Sequence, residues 1–243
     1  MIYFSFSRIK LLHDCPYKYK LFNVDKHVLP SSDPAIFGQA AHRIYRDIIV
    51  KGYERKKAIG LWKNYFIDEC IGNNESIVIF PKENYWMTKG YPIINIFYKN
   101  LDSFNIKKVL CAEKKFKSTY EGHIVTLVTD LIYEDNDGRI ILADYKTGKE
   151  KDVDYYQLQF YKDHLGMKID ACKLYYTFQG LIEFPVDKYK KETDEYISKG
   201  LDILVKGDFY KNVKKECKQC YFFKNSLCDA KKIDVKGGKE NAD

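Results

Sequence analysis

The sequence predicts an α/β protein in which a β-sheet is flanked by helices. Three observations predict it. Residues 112–148 read as an antiparallel meander, AEKKFKSTYEGHIVTLVTDLIYEDNDGRIILADYKTG. Segments with helical periodicity stand on both sides of it, at 35–50 and at 153–165. No apolar run approaches the roughly 20 residues that a membrane span needs, so no membrane association is expected.

In the meander, Tyr120-Glu121-Gly122 and Asn136-Asp137-Gly138 separate three runs of period-two alternation. Asp137-Gly138 is a strong hairpin signal. On the second strand Ile124, Thr126, Val128, Asp130 and Ile132 share a face; on the third, Ile140, Leu142, Asp144 and Lys146 do. Two carboxylates and a lysine thus converge where the pattern alone would place core residues. Buried charge costs several kcal/mol unless it is paired or binds a metal, so this cluster marks a candidate site.

The remaining elements follow in chain order. Ser5 or Ser7 caps a helical run through Ile9, Leu11, Leu12 and Cys15, which Pro16 interrupts. Val28–Pro34 is a loop. Ala35–Val50 is a helix whose apolar side carries Ile44, Tyr45, Ile48 and Ile49. Glu54–Gly72 and Lys82–Phe104 read as helices, with Pro92 breaking or kinking the second. Their aromatics, among them Trp62, Tyr65, Phe66, Tyr85, Trp86, Phe97 and Tyr98, read first as packing and second as a stacking surface for bases. Thr147–Asp152 is a charged loop and Val153–Leu165 a helix. Lys173–Phe178 and Leu181–Val186 extend the sheet, and Asp187–Val205 is a lysine-rich helix with a solvated face.

Length bounds the architecture to a single domain over 1–230, with 51–105 as a helical insertion and a polar tail, 231–243, expected to be disordered. The net charge of +7 favours a polyanionic partner. MIYFSFSRIK lacks the order of a signal peptide, which predicts a cytoplasmic protein. Seven cysteines without a secretory signal predict free thiols available to a metal rather than disulfides. Cys217 and Cys220 form a C-x-x-C pair that Cys228 follows. Three thiolates are too few for a closed site, so a fourth ligand is required. Cys70, Cys111 and Cys172 have no partner spacing and read as buried apolar residues.

Asp130, followed by Asp144-Tyr145-Lys146-Thr147-Gly148, resembles the active-site motif of PD-(D/E)XK nucleases, in the form of the RecB-like branch with its Cas4 and AddB-type members. Glu113 resembles the acid on the first strand of that core. Gly38 and His42 in FGQAAHRIY resemble its G-x-x-x-H helix, and Gln157 with Tyr161 its Gln-x-x-x-Tyr motif. FSRIKLLHDCPYKYKLF resembles its N-terminal opening. Leu127 departs from the pattern, which commonly has Gly three residues before the first Asp; a local packing change is the expected cause.

The resemblance implies a restriction-endonuclease-like core, a mixed central sheet flanked by helices. It implies a DNA nuclease that acts as an exonuclease on single strands or free ends, with Asp130, Asp144, Lys146 and Glu113 catalytic. His42, Asp130, Asp144 and the Tyr145 carbonyl would bind Mg²⁺ or Mn²⁺, and Gln157 and Tyr161 would touch DNA. Cys15, Cys217, Cys220 and Cys228 would hold a [4Fe–4S] cluster joining the two termini, with Zn²⁺ as the alternative. It further implies partners in a recombination or CRISPR adaptation complex, in a bacterial, archaeal or phage-infected cell. The opposing reading is a non-catalytic DNA-binding or structural subunit on the same fold.

Overall fold

A computed structural model describes residues 1–73 and 83–229. The expected disordered tail, 231–243, and Lys82 lie outside the described residues. The chain divides into two compact units. The first comprises Met1–Phe6 with Ser31–Ile197, and the second Ser7–Pro30 with the chain from Ser198 onward.

The first unit contains a six-stranded mixed sheet. Its strands are β1 (Tyr3–Ser5), β2 (Ile106–Tyr120), β3 (His123–Asp135), β4 (Ile140–Lys146), β5 (Ala171–Tyr176) and β6 (Gly180–Phe184). The meander is as expected: β2 pairs antiparallel with β3 and β3 with β4. The Asp137-Gly138 turn closes with Gly138 at φ 79°, a value glycine adopts without steric cost. β5 adds parallel to β4, with helix α6 (Asp152–His164) making the crossover, and β6 returns antiparallel. β1 is an unforeseen strand. Its three residues pair parallel with Ile124–Thr126, too short a run to carry an alternation signal.

Helices α3 (Asp33–Lys51), α4 (Arg55–Asn73) and α5 (Glu83–Asn100) bury their apolar sides in one core with Leu131, Tyr133, Ile141, Ala143, Tyr145 and Tyr175 of the sheet. Pro92 does not end α5, which continues through it. Trp62, Tyr65, Phe66 and Phe97 are buried there, in accord with the packing reading, whereas Tyr85 is exposed. The Trp62 indole lies against Gly90, where a Cβ would come within 1.8 Å of its ring, and its Nε1–H donates to the Met87 carbonyl at 2.9 Å.

α3 also carries a buried carboxylate. Asp47 is wholly buried and accepts hydrogen bonds from Arg46 Nε (2.7 Å), Lys51 Nζ (2.7 Å) and Tyr65 Oη (2.6 Å). Burial alone would raise its pKa, but these donors more than reverse that and bring it to about 2.

The second unit is built from the two ends of the chain. It holds α1 (Phe6–Asp14) from Ser7 on, α2 (Pro16–Tyr19) with a π-turn over Lys20–Val24, the end of α7 (Lys190–Lys206), and α8 (Tyr221–Lys224). α7 starts at Lys190, later than expected. Gly200 permits close approach of Ile9, whose Cγ2 would lie 2.7 Å from a Cβ at that position. Tyr17 N–H donates to the Tyr210 carbonyl at 3.0 Å, and Tyr19 stacks on Phe209.

The Asp47 network yields a pH prediction. Its depressed folded pKa gives stability that is fully present above about pH 4 and is lost as pH falls towards 2. Asp47→Asn should therefore lower the melting temperature at pH 7 but have little further effect near pH 2. Acid melts of the two proteins should converge at the low end; parallel curves would show that Asp47 is not held ionised.

Candidate active site

β3 is the scaffold of the site. β2 occupies one of its edges throughout. The other edge is shared: β1 takes Ile124–Thr126 and β4 takes Leu131–Glu134. Residues 127–130 on that edge have no strand partner, and Asp130 stands at the fork. The Tyr145 N–H, just past the end of the β3–β4 ladder, donates instead to Asp130 Oδ2 at 2.8 Å. The side chain thus replaces a missing ladder bond, and it fixes its own orientation in doing so.

His42 of α3 approaches from the helical side, with Nδ1 3.1 Å from Asp130 Oδ2. Burial opposes the charged imidazole, yet Asp130 outweighs it and holds the His42 pKa above its ordinary value. Reciprocally, burial would raise Asp130, but His42 and the Tyr145 N–H keep it below the usual carboxylate range.

Asp144 and Lys146 leave β4 on one face, as the alternation predicts. Lys146 Nζ lies 2.6 Å from Asp144 Oδ2, although that buried oxygen has no aligned hydrogen-bond donor. Burial pushes the Asp144 carboxyl up to about 6, opposed by Lys146 and reinforced by Asp130. Burial works against the Lys146 ammonium, but Asp144 and Asp154 hold its pKa above the ordinary lysine value.

α6 closes this side. Gln157 accepts from Lys146 Nζ through Oε1 (3.1 Å) and donates from Nε2 to Asp144 Oδ1 (3.2 Å), bridging the two. One turn earlier Asp154 lies 3.9 Å from Lys146 Nζ and accepts from Tyr176 Oη at 3.0 Å. Tyr161 is buried beside Asp144 and Asp130, and burial, then those carboxylates, push its phenol up to about 12. Tyr145 turns its ring into the core.

Glu113 sits on β2 in line with Asp130, between the pairs Ala112–Leu131 and Lys114–Thr129. It adopts φ 47°, a left-handed conformation uncommon for a residue with a side chain. Its carboxylate pairs with Arg46, one turn beyond His42 on α3, rather than with Lys146. Sequence reasoning missed Arg46, Asp154 and Tyr176. Asp154 did carry a signal: it stands three residues before Gln157, on the same helix face.

Asp130, Asp144 and His42 suit a hard divalent cation in donor chemistry, and Asp144 Oδ2 is the buried oxygen still lacking an aligned donor. Among the described residues no three His, Cys, Asp or Glu side chains stand close enough to enclose a metal ion. The two carboxylates are instead neutralised by His42 and Lys146.

The profile of the PD-(D/E)XK nuclease superfamily matches residues 3–228. The chain belongs to that superfamily. Its members are metal-dependent nucleases that generally use ions such as Mg²⁺ or Mn²⁺, and nucleic acid is the implied substrate. No curated protein matches the chain. Among solved structures it is similar to the crystal structure of SSO0001, at 15% identity over 91% of this chain and 97% of that one, with a TM-score of 0.38. No helix among the described residues is long and apolar enough to cross a membrane.

Within the second unit, Cys15, Cys217, Cys220 and Cys228 line one cavity of about 220 Å³. Lys214 organises its rim. Its Nζ lies 2.5 Å from Asp14 Oδ1, and its backbone N–H donates to Cys217 Sγ at 3.4 Å. Asn212 Nδ2 donates to the Asp14 carbonyl at 3.0 Å. The other cysteines lie elsewhere. Cys70 and Cys172 are buried, and burial pushes the Cys172 thiol up to about 12. Cys111 is half-buried, because β2 is an edge strand, and so is less enclosed than expected.

A double-mutant cycle of Asp154→Asn and Tyr176→Phe tests the support beneath Lys146. Asp154→Asn should cost about 1–3 kcal/mol, and the coupling to Tyr176→Phe should be near 1 kcal/mol. Urea unfolding measures both; strict additivity would show that the bond does not contribute.

Proposed function

We propose that the protein is a Mg²⁺- or Mn²⁺-dependent deoxyribonuclease of the RecB-like, Cas4 and AddB-type branch, acting as an exonuclease on strands with free ends. The observation that carries this reading is the convergence of Asp130, Asp144 and Lys146, with Gln157 bridging the latter two. A non-catalytic subunit has no need of a buried lysine–carboxylate pair whose desolvation costs several kcal/mol. Residues 1–230 are read as one nuclease domain, working in the cytoplasm within a recombination, repair or CRISPR adaptation complex.

Asp130, Asp144 and His42 would hold the divalent ion, with the Tyr145 carbonyl as a further ligand. When bound, that ion supplies Lewis-acid polarisation of a phosphoryl oxygen and a low-pKa source of hydroxide. The chain's own residues do the rest. Lys146 keeps its proton and places a positive charge where the phosphate gains negative charge. Gln157 fixes the pitch of Lys146 against Asp144, and Asp154 offers the ammonium a second carboxylate. The Asp130 bond to the Tyr145 N–H holds β4 in register at the fork. Arg46 restrains Glu113 next to this centre. Gln157 and Tyr161 would meet the DNA backbone from α6.

The four cavity cysteines would hold a [4Fe–4S] cluster. The support for this is that all four line the same cavity, with zinc as the alternative occupant. The cluster would act as a structural clasp, apart from the chemistry.

Cleavage of end-labelled single and double strands with Mn²⁺ tests the nuclease reading. Asp144→Ala should abolish cutting while DNA binding persists, and Lys146→Ala should cost about two to three orders of magnitude in rate. Parent-level cutting by Asp144→Ala would refute the assignment, and no cutting by the parent would leave the non-catalytic subunit.

Metal analysis tests the clasp. Anaerobically purified protein should carry roughly four irons per chain. Cys15→Ala and Cys217→Ala should lose iron and sulfide alike, whereas Cys70→Ala and Cys172→Ala keep both. One zinc and no sulfide would replace the cluster with a zinc site. Full iron in Cys15→Ala would remove the N-terminal cysteine from the ligand set.

A further inference from the structure

The β1–β2–β3 ribbon has a face that meets the site described above only at its Asp130 end. On β3, buried Val125, Leu127 and Thr129 alternate with Ile124, Thr126, Val128 and Asp130. Register sets Lys115 opposite Val128 and Lys117 opposite Thr126, and it sets Tyr3 of β1 beside Ile124. This face is open to solvent: Lys115 and Lys117 are exposed, Val128 is 46% exposed and Tyr3 61%. Its row of residues ends at Asp130.

The chemistry of this face is a line of cations beside apolar and aromatic surface. Same-face residues on a strand are about 7 Å apart, so Lys115 and Lys117 recur at an interval like that of phosphates along an extended strand. Tyr3 presents an exposed aromatic ring and Val128 an exposed aliphatic side chain alongside. A duplex hides its base faces and would leave that surface against water, whereas a single strand offers bases to stack on it.

We propose that this face is the track along which a single strand of DNA reaches Asp130, with phosphates on Lys115 and Lys117 and a base on Tyr3. The proposal rests on the nuclease reading. Lysines on an edge strand also discourage pairing between copies, but that role would not alter the salt dependence of DNA binding.

Fluorescence anisotropy of a labelled oligothymidylate, in EDTA over a series of KCl concentrations, tests it. Lys115→Gln with Lys117→Gln should weaken binding at low salt and reduce the slope of log K against log salt by about 1.4, at about 0.7 per phosphate contact on a single strand. Tyr3→Ala should weaken binding by roughly 10-fold or more with the slope unchanged. Lys206→Gln, which removes a partner of Asp202 on α7, is the control and should change neither. Thermal melts establish that each variant is folded. Unchanged affinity and slope in the double lysine variant, in a protein that still cuts DNA, would overturn the track. A parent protein that neither binds nor cuts DNA would instead refute the nuclease reading. A loss equally large for a blunt hairpin duplex would overturn the single-strand assignment.

Discussion

The hydrogen bond from the Tyr145 N–H to Asp130 is the contact on which the site depends. β3 serves two partners along one edge, and such a fork leaves backbone donors without a ladder. A buried unpaired N–H costs about 1–3 kcal/mol, so a carboxylate at the fork is stabilising as well as chemically useful. The same bond orients Asp130 towards His42 and sets Asp144 and Lys146 on the adjoining strand. Structure and chemistry therefore draw on one interaction, and Asp130 is constrained twice.

Around that bond the charges are arranged in two chains. One runs from Tyr176 through Asp154 to Lys146, Asp144 and Gln157, so a single ammonium is shared by two carboxylates and an amide. The other runs from Tyr65 through Asp47 to Arg46 and Glu113. Each is anchored in a helix, α6 for the first and α3 for the second, and both terminate on the sheet. Helices locked by packing hold side chains more firmly than loops would, which suits a centre that must keep like charges close together.

The meander, its hairpin turn and the trio Asp130, Asp144 and Lys146 were legible because charge appears at positions where alternation demands apolar residues. His42 and Gln157 were legible only through their spacing relative to a motif; by themselves each looks like an ordinary helix residue. Asp154 was hidden for a physical reason. Asp152 and Asp154 occupy the first turn of α6, where acids are favoured by the helix dipole alone, so no special role is signalled. β1 is too short to be periodic, and the fork it creates is a tertiary fact. Nothing local announces that Glu113 leaves the extended conformation to meet Arg46.

The second unit is assembled from segments nearly two hundred residues apart, stitched by Tyr17 to Tyr210 and by Asp14 to Asn212 and Lys214. These contacts have a consequence for the nascent chain. During synthesis segment 7–30 leaves the ribosome nearly two hundred residues before its partners. It must wait, with Ile9, Leu12 and Leu21 lacking their final cover, while the sheet that follows it completes itself. Closing so long a loop is slow, so the capture of segment 7–30 by the chain beyond Ser198 is expected to come late.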